Sequence, residues 1–148
     1  MTDKFILLVE DDERDVELTL RSLRKNNIGN QVVVVRDGAA ALDYLFATGA
    51  NAGRNPAELP TVVLLDIKLP KIDGLEVLRR VRAHERTRLL PVVILTSSNE
   101  DKDRLASYTS GANSYVRKPI EFAEFAGAVR QLGLYWLILN ELPPPPAA

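Results

Sequence analysis

Apolar residues in this chain fall into short continuous runs, and the segments between them repeat apolar residues every three or four positions. The runs are rich in β-branched residues and have the length of strands buried on both faces. Five strands are predicted at residues 5–9, 31–36, 61–66, 91–96 and 113–118. Helical periodicity predicts five helices at residues 12–26, 39–48, 74–84, 101–110 and 121–140. Alternating strands and helices indicate a parallel α/β sheet with helices on both faces.

Turn residues divide these elements. The segment 49–60 is rich in Gly, Asn and Pro, which predicts a long surface loop. Ser97 and Glu100 have the spacing of a capping box at the start of the fourth helix. Residues 143–148 are four prolines and two alanines, which favour an extended tail. We therefore expect one domain over residues 4–139, followed by a Pro-rich tail at 140–148.

Composition narrows the class of protein. The 148 residues carry a formal net charge of −1 and contain no cysteine. Disulfides, thiolate metal sites and cysteine nucleophiles are therefore excluded. The chain also lacks the excess of basic residues that would indicate a nucleic acid as its partner. The first residues are polar and precede only a short apolar run, unlike a signal peptide or a membrane span. We expect a cytoplasmic protein with no membrane partner and no helix-turn-helix segment.

Polar side chains stand where the predicted strands end. They are Asp11 and Asp12 after the first strand, Asp66 on the third, Thr96 on the fourth and Lys118 on the fifth. Parallel α/β sheets bind ligands at this carboxyl edge. If the first and third strands are neighbours, three carboxylates converge, and a divalent cation such as Mg²⁺ would relieve their repulsion. With a lysine and a hydroxyl beside them, the edge indicates a phosphoryl site with Asp66 as the acceptor.

Each of these residues also has a purely structural interpretation. Asp-Asp before a helix commonly caps the helix, and a threonine at a strand end commonly bonds a turn. Lys118-Pro119 is an ordinary loop dipeptide. The ordered set on successive strand ends is more specific than any single member.

The same residues carry a resemblance to a known family. Val9-Glu-Asp-Asp12, Leu64-Leu-Asp66 through Gly74, Leu95-Thr-Ser97 and Tyr115-Val-Arg-Lys-Pro119 resemble the receiver domain of two-component response regulators. The resemblance covers roughly residues 4–139. It implies a flavodoxin-like sheet of order 2-1-3-4-5 and phosphoryl transfer from the histidine of a sensor kinase to Asp66. Such a receiver is a phosphoacceptor that assists its own phosphorylation and slow dephosphorylation, and not a conventional enzyme.

The resemblance also implies roles for individual residues. Asp12 and Asp66 would hold Mg²⁺, Asp11 would act largely through water, and the backbone carbonyl of Lys68 would complete the site. Thr96 and Lys118 would contact the phosphoryl oxygens. The Lys118–Pro119 peptide would be cis, an option specific to proline.

Switching is implied by the same pattern. Thr96 would move toward the phosphoryl charge, and Tyr115 would occupy the space it leaves, which changes a protein-binding surface. From sequence alone, Tyr115 is equally well read as a half-buried strand aromatic. Lys68 and Ser98 stand where family members vary and where dephosphorylation is tuned.

The end of the last predicted helix is apolar nearly all round. An isolated subunit would expose that surface, which indicates an interface. The alternative is that the helix end folds back on its own core. This ending and the long loop resemble small stand-alone regulators of bacterial phytochrome kinases, in which the C-terminal extension forms a homodimer. The expected interface residues are Leu134, Tyr135, Trp136, Leu137, Ile138 and Leu139.

Two other functions compete with the receiver hypothesis. Phosphatases of the haloacid dehalogenase type also use an aspartate nucleophile with Mg²⁺, but they need an acid two residues later, where this chain has Lys68. A pure interaction module would not need the complete polar set. His84 and the arginines at 79, 80, 82, 86 and 88 are most simply a solvated surface.

Overall fold

One parallel sheet forms the centre of the molecule. The computed structural model describes residues 4–25, 30–118 and 121–144, and of Phe122 only the backbone. Its strands run in the order β2-β1-β3-β4-β5, all parallel, as the predicted flavodoxin-like fold requires. The strands are β1 Phe5–Val9, β2 Gln31–Val35, β3 Val62–Leu65, β4 Val92–Thr96 and β5 Ser114–Arg117.

Helices follow the strands in alternation, as predicted. They are α1 Glu13–Lys25, α2 Gly38–Phe46, α3 Gly74–Ala83, α4 Asp101–Thr109 and α5 Phe122–Leu134. Asp37 and Asp73 cap α2 and α3 by accepting from the backbone N–H three residues on. The predicted end of the first helix at residues 26–29 lies outside the described residues. Among these residues, no helix has the length and apolarity needed to cross a membrane.

The predicted capping box at α4 is wrong. A capping box needs Ser97 at the N-cap, but Glu100 holds that position and its side chain makes no capping bond. The neighbouring Ser98 takes over, because its hydroxyl accepts from Glu100 N at 3.3 Å and donates to Asp103 Oδ2 at 2.6 Å. This local serine turn fixes the loop between β4 and α4.

Alternate strand residues point to opposite faces of the sheet, and each face has its own core. The face covered by α2 and α3 is lined by Leu7, Val9, Val63, Leu65 and Ile94. The face covered by α1 and α5 is lined by Ile6, Leu8, Val62, Leu64 and Val93. Burial on both faces explains why the strands read as continuous apolar runs.

The C-terminal helix changes character before its predicted end. It is α-helical only to Leu134, and Tyr135–Leu139 form a π-helical turn in which Asn140 N donates to Tyr135 O at 2.7 Å. The wider turn lets two consecutive side chains, Trp136 and Leu137, enter the core, where they are 7% and 4% exposed. Two of the six predicted interface residues are therefore core residues, and for them the fold-back alternative is correct.

Candidate functional site

Strand register places two carboxylates side by side at the carboxyl edge. Val9 pairs with Leu65, so the next residues, Glu10 and Asp66, leave adjacent strands together. Both are buried, with 3% and 8% of their surface exposed. Asp11 follows at the surface, and carboxylate oxygens of Glu10, Asp11 and Asp66 all lie within 4.8 Å of one another. Two of the three predicted acids, Asp11 and Asp66, belong to this group.

Asp12 performs a different task from the predicted one. Its Oδ1 accepts from Arg14 N at 2.9 Å and from Asp15 N at 3.3 Å, so its carboxylate caps the first turn of α1. Glu10 directly follows β1, and the pairing of Val9 with Leu65 sets it beside Asp66, whereas Asp12 lies two residues further on at the start of α1. The acids that group with Asp66 are Glu10 and Asp11, the pair one residue earlier than the predicted Asp11 and Asp12.

Lys118 follows β5 and lies inside this acidic edge. Its main-chain N–H donates to Thr96 O at 2.7 Å, which ties the end of β5 to β4. Its ammonium donates to Glu10 Oε1, to Asp15 Oδ2 at 2.9 Å and to Asp66 Oδ2 at 3.2 Å. The sequence prediction did not include Asp15. The available signal was its position three residues after Asp12, in the first turn of a helix that begins at the carboxyl edge of the sheet.

Burial and neighbouring charges have opposite effects on the pKa values of Glu10 and Lys118. Burial raises the pKa of Glu10 to about 7, and the hydrogen bond and charge of Lys118 only partly oppose it. Burial also works to lower the pKa of Lys118, but the attraction of Glu10, Asp66 and Asp15 outweighs it, so this pKa lies above its ordinary value. Lys118 is therefore a permanent cation at neutral pH.

A glycine fixes the backbone around Asp66. A Cβ on Gly74 would lie 2.0 Å from the carbonyl oxygen of Asp66, so only glycine fits the start of α3 here. Gly74 N also donates to Ile67 O at 2.7 Å. The exposed Lys68 donates its backbone N–H to Asp66 Oδ1 at 3.4 Å. Its backbone carbonyl as a metal ligand stays a prediction.

Thr96 and Tyr115 lie on the neighbouring side of the edge. Thr96 is buried at the end of β4, and its Oγ1 accepts from Ser98 N at 3.4 Å. Tyr115 is half-buried, and its hydroxyl donates to Ser98 O at 2.9 Å. Both switch candidates therefore contact the same loop. The predicted cis peptide to Pro119 lies outside the described residues.

The donor set fits a hard divalent cation. Glu10, Asp11 and Asp66 offer only carboxylate oxygens, which Mg²⁺ and Mn²⁺ prefer to nitrogen or sulfur. Glu10, Asp15 and Asp66 pair with Lys118 and Asp11 lies beside them, so the edge carries four acids and one ammonium, which favours a further cation. The predicted metal site is thus chemically consistent with Glu10 in place of Asp12.

Residues 6–130 match the response regulator receiver domain family. Among curated proteins, the chain is similar to the probable methanogenesis regulatory protein FilR2 of Methanothrix harundinacea, with 41% identity over 140 residues, 95% of this chain and 88% of the relative. It is also similar to response regulator Rcp1 of Synechocystis sp., with 35% identity over 142 residues, 95% of this chain and 93% of the relative.

Three solved structures share the fold along nearly the whole chain. The Mn²⁺-bound form of Rcp1 has a TM-score of 0.87 at 34% identity, covering 95% of this chain and 99% of that one. The phosphorylated cyanobacterial phytochrome response regulator RcpA has a TM-score of 0.89 at 34% identity, covering 97% and 100%. The bacteriophytochrome response regulator RtBRR has a TM-score of 0.76 at 53% identity, covering 97% and 86%.

Proposed function

Because this chain belongs to the response regulator receiver domain family, we propose that it accepts a phosphoryl group on Asp66 from a phosphohistidine of a partner kinase. The observation that carries the proposal is the buried contact of 3.2 Å between Lys118 Nζ and Asp66 Oδ2, at the edge where Glu10 and Asp11 also converge. An aspartate held beside a fixed cation and oxygen ligands has the surroundings that phosphoryl transfer needs.

The transfer balances with groups that the chain and its donor supply. An Asp66 carboxylate oxygen forms a bond to phosphorus while the nitrogen–phosphorus bond of the donor histidine breaks. The bonding electron pair returns to the imidazole nitrogen, which takes a proton from water. Glu10, Asp11 and Asp66 would hold Mg²⁺, which when bound neutralises charge on the phosphoryl oxygens. Lys118 and Thr96 would donate hydrogen bonds to the same phosphoryl oxygens.

Labelling with a small phosphodonor tests this assignment. We expect the wild-type protein with Mg²⁺ to gain one phosphoryl group by intact-protein mass, and Asp66→Asn to gain none. Asp101→Asn is the matched control, because it removes the same charge at an exposed residue, the first of α4. Equal labelling of Asp66→Asn and wild type would overturn the assignment.

We propose that Thr96 and Tyr115 transmit the modification to the β4–α4 loop. The new acceptors on Asp66 would draw the Thr96 hydroxyl, which now accepts from Ser98 N. Tyr115 is bonded to the same residue and would change its contacts with it. We expect Tyr115→Phe to label like wild type but to lose the change in amide exchange of residues 97–100 that phosphorylation produces.

We propose a sensor histidine kinase of the phytochrome class as the phosphodonor. The similarity to RcpA and RtBRR, both described as phytochrome response regulators, supports this choice. Phosphotransfer from purified candidate kinases measures it directly. Faster transfer from a bacteriophytochrome than from other kinases is expected, and a preference for an unrelated kinase would contradict it.

We propose that the exposed side of the C-terminal turn forms a homodimer. Leu134 belongs to the predicted interface, and Tyr135, Ile138 and Leu139 are 49%, 66% and 70% exposed although they are large and apolar. Ile138→Glu with Leu139→Glu should halve the mass measured by light scattering without disturbing the buried Trp136. Leu105→Glu is the control, because Leu105 is also 70% exposed but lies on α4.

A further inference from the structure

The ammonium of Lys118 has two anionic partners besides Asp66, the proposed phosphoryl acceptor. It has three N–H donors, and Glu10, Asp15 and Asp66 accept all of them. Glu10 and Asp66 come from strand ends and belong to the group of acids that fits a metal. Asp15 comes from α1 and is not in that group, and its carboxylate accepts from Lys118 Nζ at 2.9 Å.

The backbone of α1 holds Asp15 in place. Its N–H donates to the carboxylate of Asp12 at 3.3 Å, and its carbonyl accepts from Thr19 Oγ1 at 2.7 Å. The Asp12 cap therefore fixes the first turn from which Asp15 reaches Lys118. The side chain of Asp15 is 24% exposed, so the ion pair is largely shielded from water.

We propose that Asp15 is a positioning residue that holds the ammonium of Lys118 on the α1 side and shares its charge, which weakens the hold of Lys118 on a phosphoryl group at Asp66. The inference rests on the proposed phosphoacceptor function. A phosphoryl group brings further negative charge to Asp66 and competes with Asp15 for the same ammonium. Asp15 thereby shortens the lifetime of the phosphorylated state.

The competing interpretation is that Asp15 only stabilises α1. Acids in the first helical turn interact favourably with the helix dipole, and Glu13 and Asp15 are both there. That role predicts lower stability for any neutral substitution and no effect on the acyl phosphate. The two interpretations therefore differ in the kinetics of Asp66 and agree on stability.

The test compares three full-length variants under saturating Mg²⁺. Asp15→Asn removes the charge but keeps an acceptor for Lys118, and Asp15→Glu keeps the charge. Glu17→Gln is the control, because it removes an exposed charge two residues further along the same helix. Each protein is labelled with acetyl phosphate, the donor is removed, and loss of label is followed by intact-protein mass, with urea unfolding as a separate check of the fold.

Asp15→Asn should lose its label more slowly than wild type, by roughly tenfold for one charge removed from a partly shielded site. Asp15→Glu and Glu17→Gln should stay near wild type. Equal or faster loss in Asp15→Asn, with normal labelling of wild type, would overturn the role of Asp15 alone. No label on wild type would overturn the proposed function, and the role of Asp15 with it.

Discussion

Among the described residues, Lys118 and Arg82 are two cations that are at least partly buried, and they differ in the kind of partner they have. Lys118 donates to three carboxylates, those of Glu10, Asp15 and Asp66. Arg82 of α3 donates to neutral oxygens instead. Its described acceptors are the backbone carbonyls of Gly111, Thr87, Arg88 and Leu90 and the side-chain oxygen of Asn113.

The difference in partners gives the two residues different roles. Lys118 belongs to the candidate functional site, whereas Arg82 and its neutral acceptors form a structural clamp. Carboxylates can be protonated, phosphorylated or bound by a metal, so the surroundings of Lys118 can change under ordinary conditions. Backbone carbonyls do not undergo these reactions under the same conditions, so the surroundings of Arg82 are fixed. Burial lowers the pKa of Arg82 from its ordinary value. Arg82 joins the end of α3 to the turns before β4 and β5. Lys118 instead joins its neighbours through carboxylates, whose charge changes on protonation, phosphorylation or metal binding.

Removing the clamp should have the largest effect on stability. Arg82→Met leaves carbonyls such as Leu90 O and Gly111 O without a donor, which should lower the free energy of unfolding by roughly 3 kcal/mol. Because its described acceptors do not titrate, we expect the same loss at pH 5 and pH 8 by urea denaturation. Arg79→Met, which removes an exposed arginine from the same helix, is the control. A loss below 1 kcal/mol would show that Arg82 is the solvated residue that the sequence suggested.

The sequence was sufficient for the sheet because each strand is apolar on both faces. Runs such as Phe5–Val9 have no amphipathic alternation, and the structure buries all five residues. Arg82, in contrast, was grouped with its arginine neighbours as a solvated surface. Its acceptors come from turns 5 to 31 residues away in sequence, so no local pattern could indicate them.

The sequence pattern predicts Asp11, Asp66 and Lys118 at one edge of the sheet, and the structure places them there, together with Glu10 and Asp15. Lys118 and Asp66 were found because each directly follows or ends an apolar run. The acidic pair was misplaced because Glu10, Asp11 and Asp12 are consecutive, and only the register of Val9 against Leu65 shows which acid faces Asp66. Because β1 and β3 are apolar on both faces, no alternation of apolar and polar residues along them marks that register.

The site, unlike the clamp, should make stability depend on pH. The pKa of Glu10 rises from 4.5 in the unfolded chain to about 7 in the folded one, mainly through burial. The protonated form favours folding, so this contribution is complete below pH 4.5 and is lost as pH rises through about 7. In EDTA, Glu10→Gln and wild type should be equally stable near pH 5, and Glu10→Gln more stable by roughly 2 kcal/mol at pH 8. Parallel pH profiles for the two proteins would contradict the shifted pKa.

The smallest predicted effect comes from giving the clamp an anionic partner. Asn113 Oδ1 accepts from Arg82 Nη2 at 2.9 Å and from Val92 N at 2.8 Å, and the residue is exposed. Asn113→Asp keeps both acceptor contacts and adds a charge, so we expect a gain of about 0.5 kcal/mol at pH 7.

A double-mutant cycle assigns that gain to the pair. In the Arg82→Met background the same Asn113→Asp change should give no gain, because the cation is absent. In the wild-type background the gain should disappear as the new carboxylate is protonated near pH 4, so the surroundings of Arg82 would also depend on pH, but with the opposite sign to the contribution of Glu10. An equal gain with and without Arg82 would mean that the carboxylate acts through Val92 N–H and not through the guanidinium.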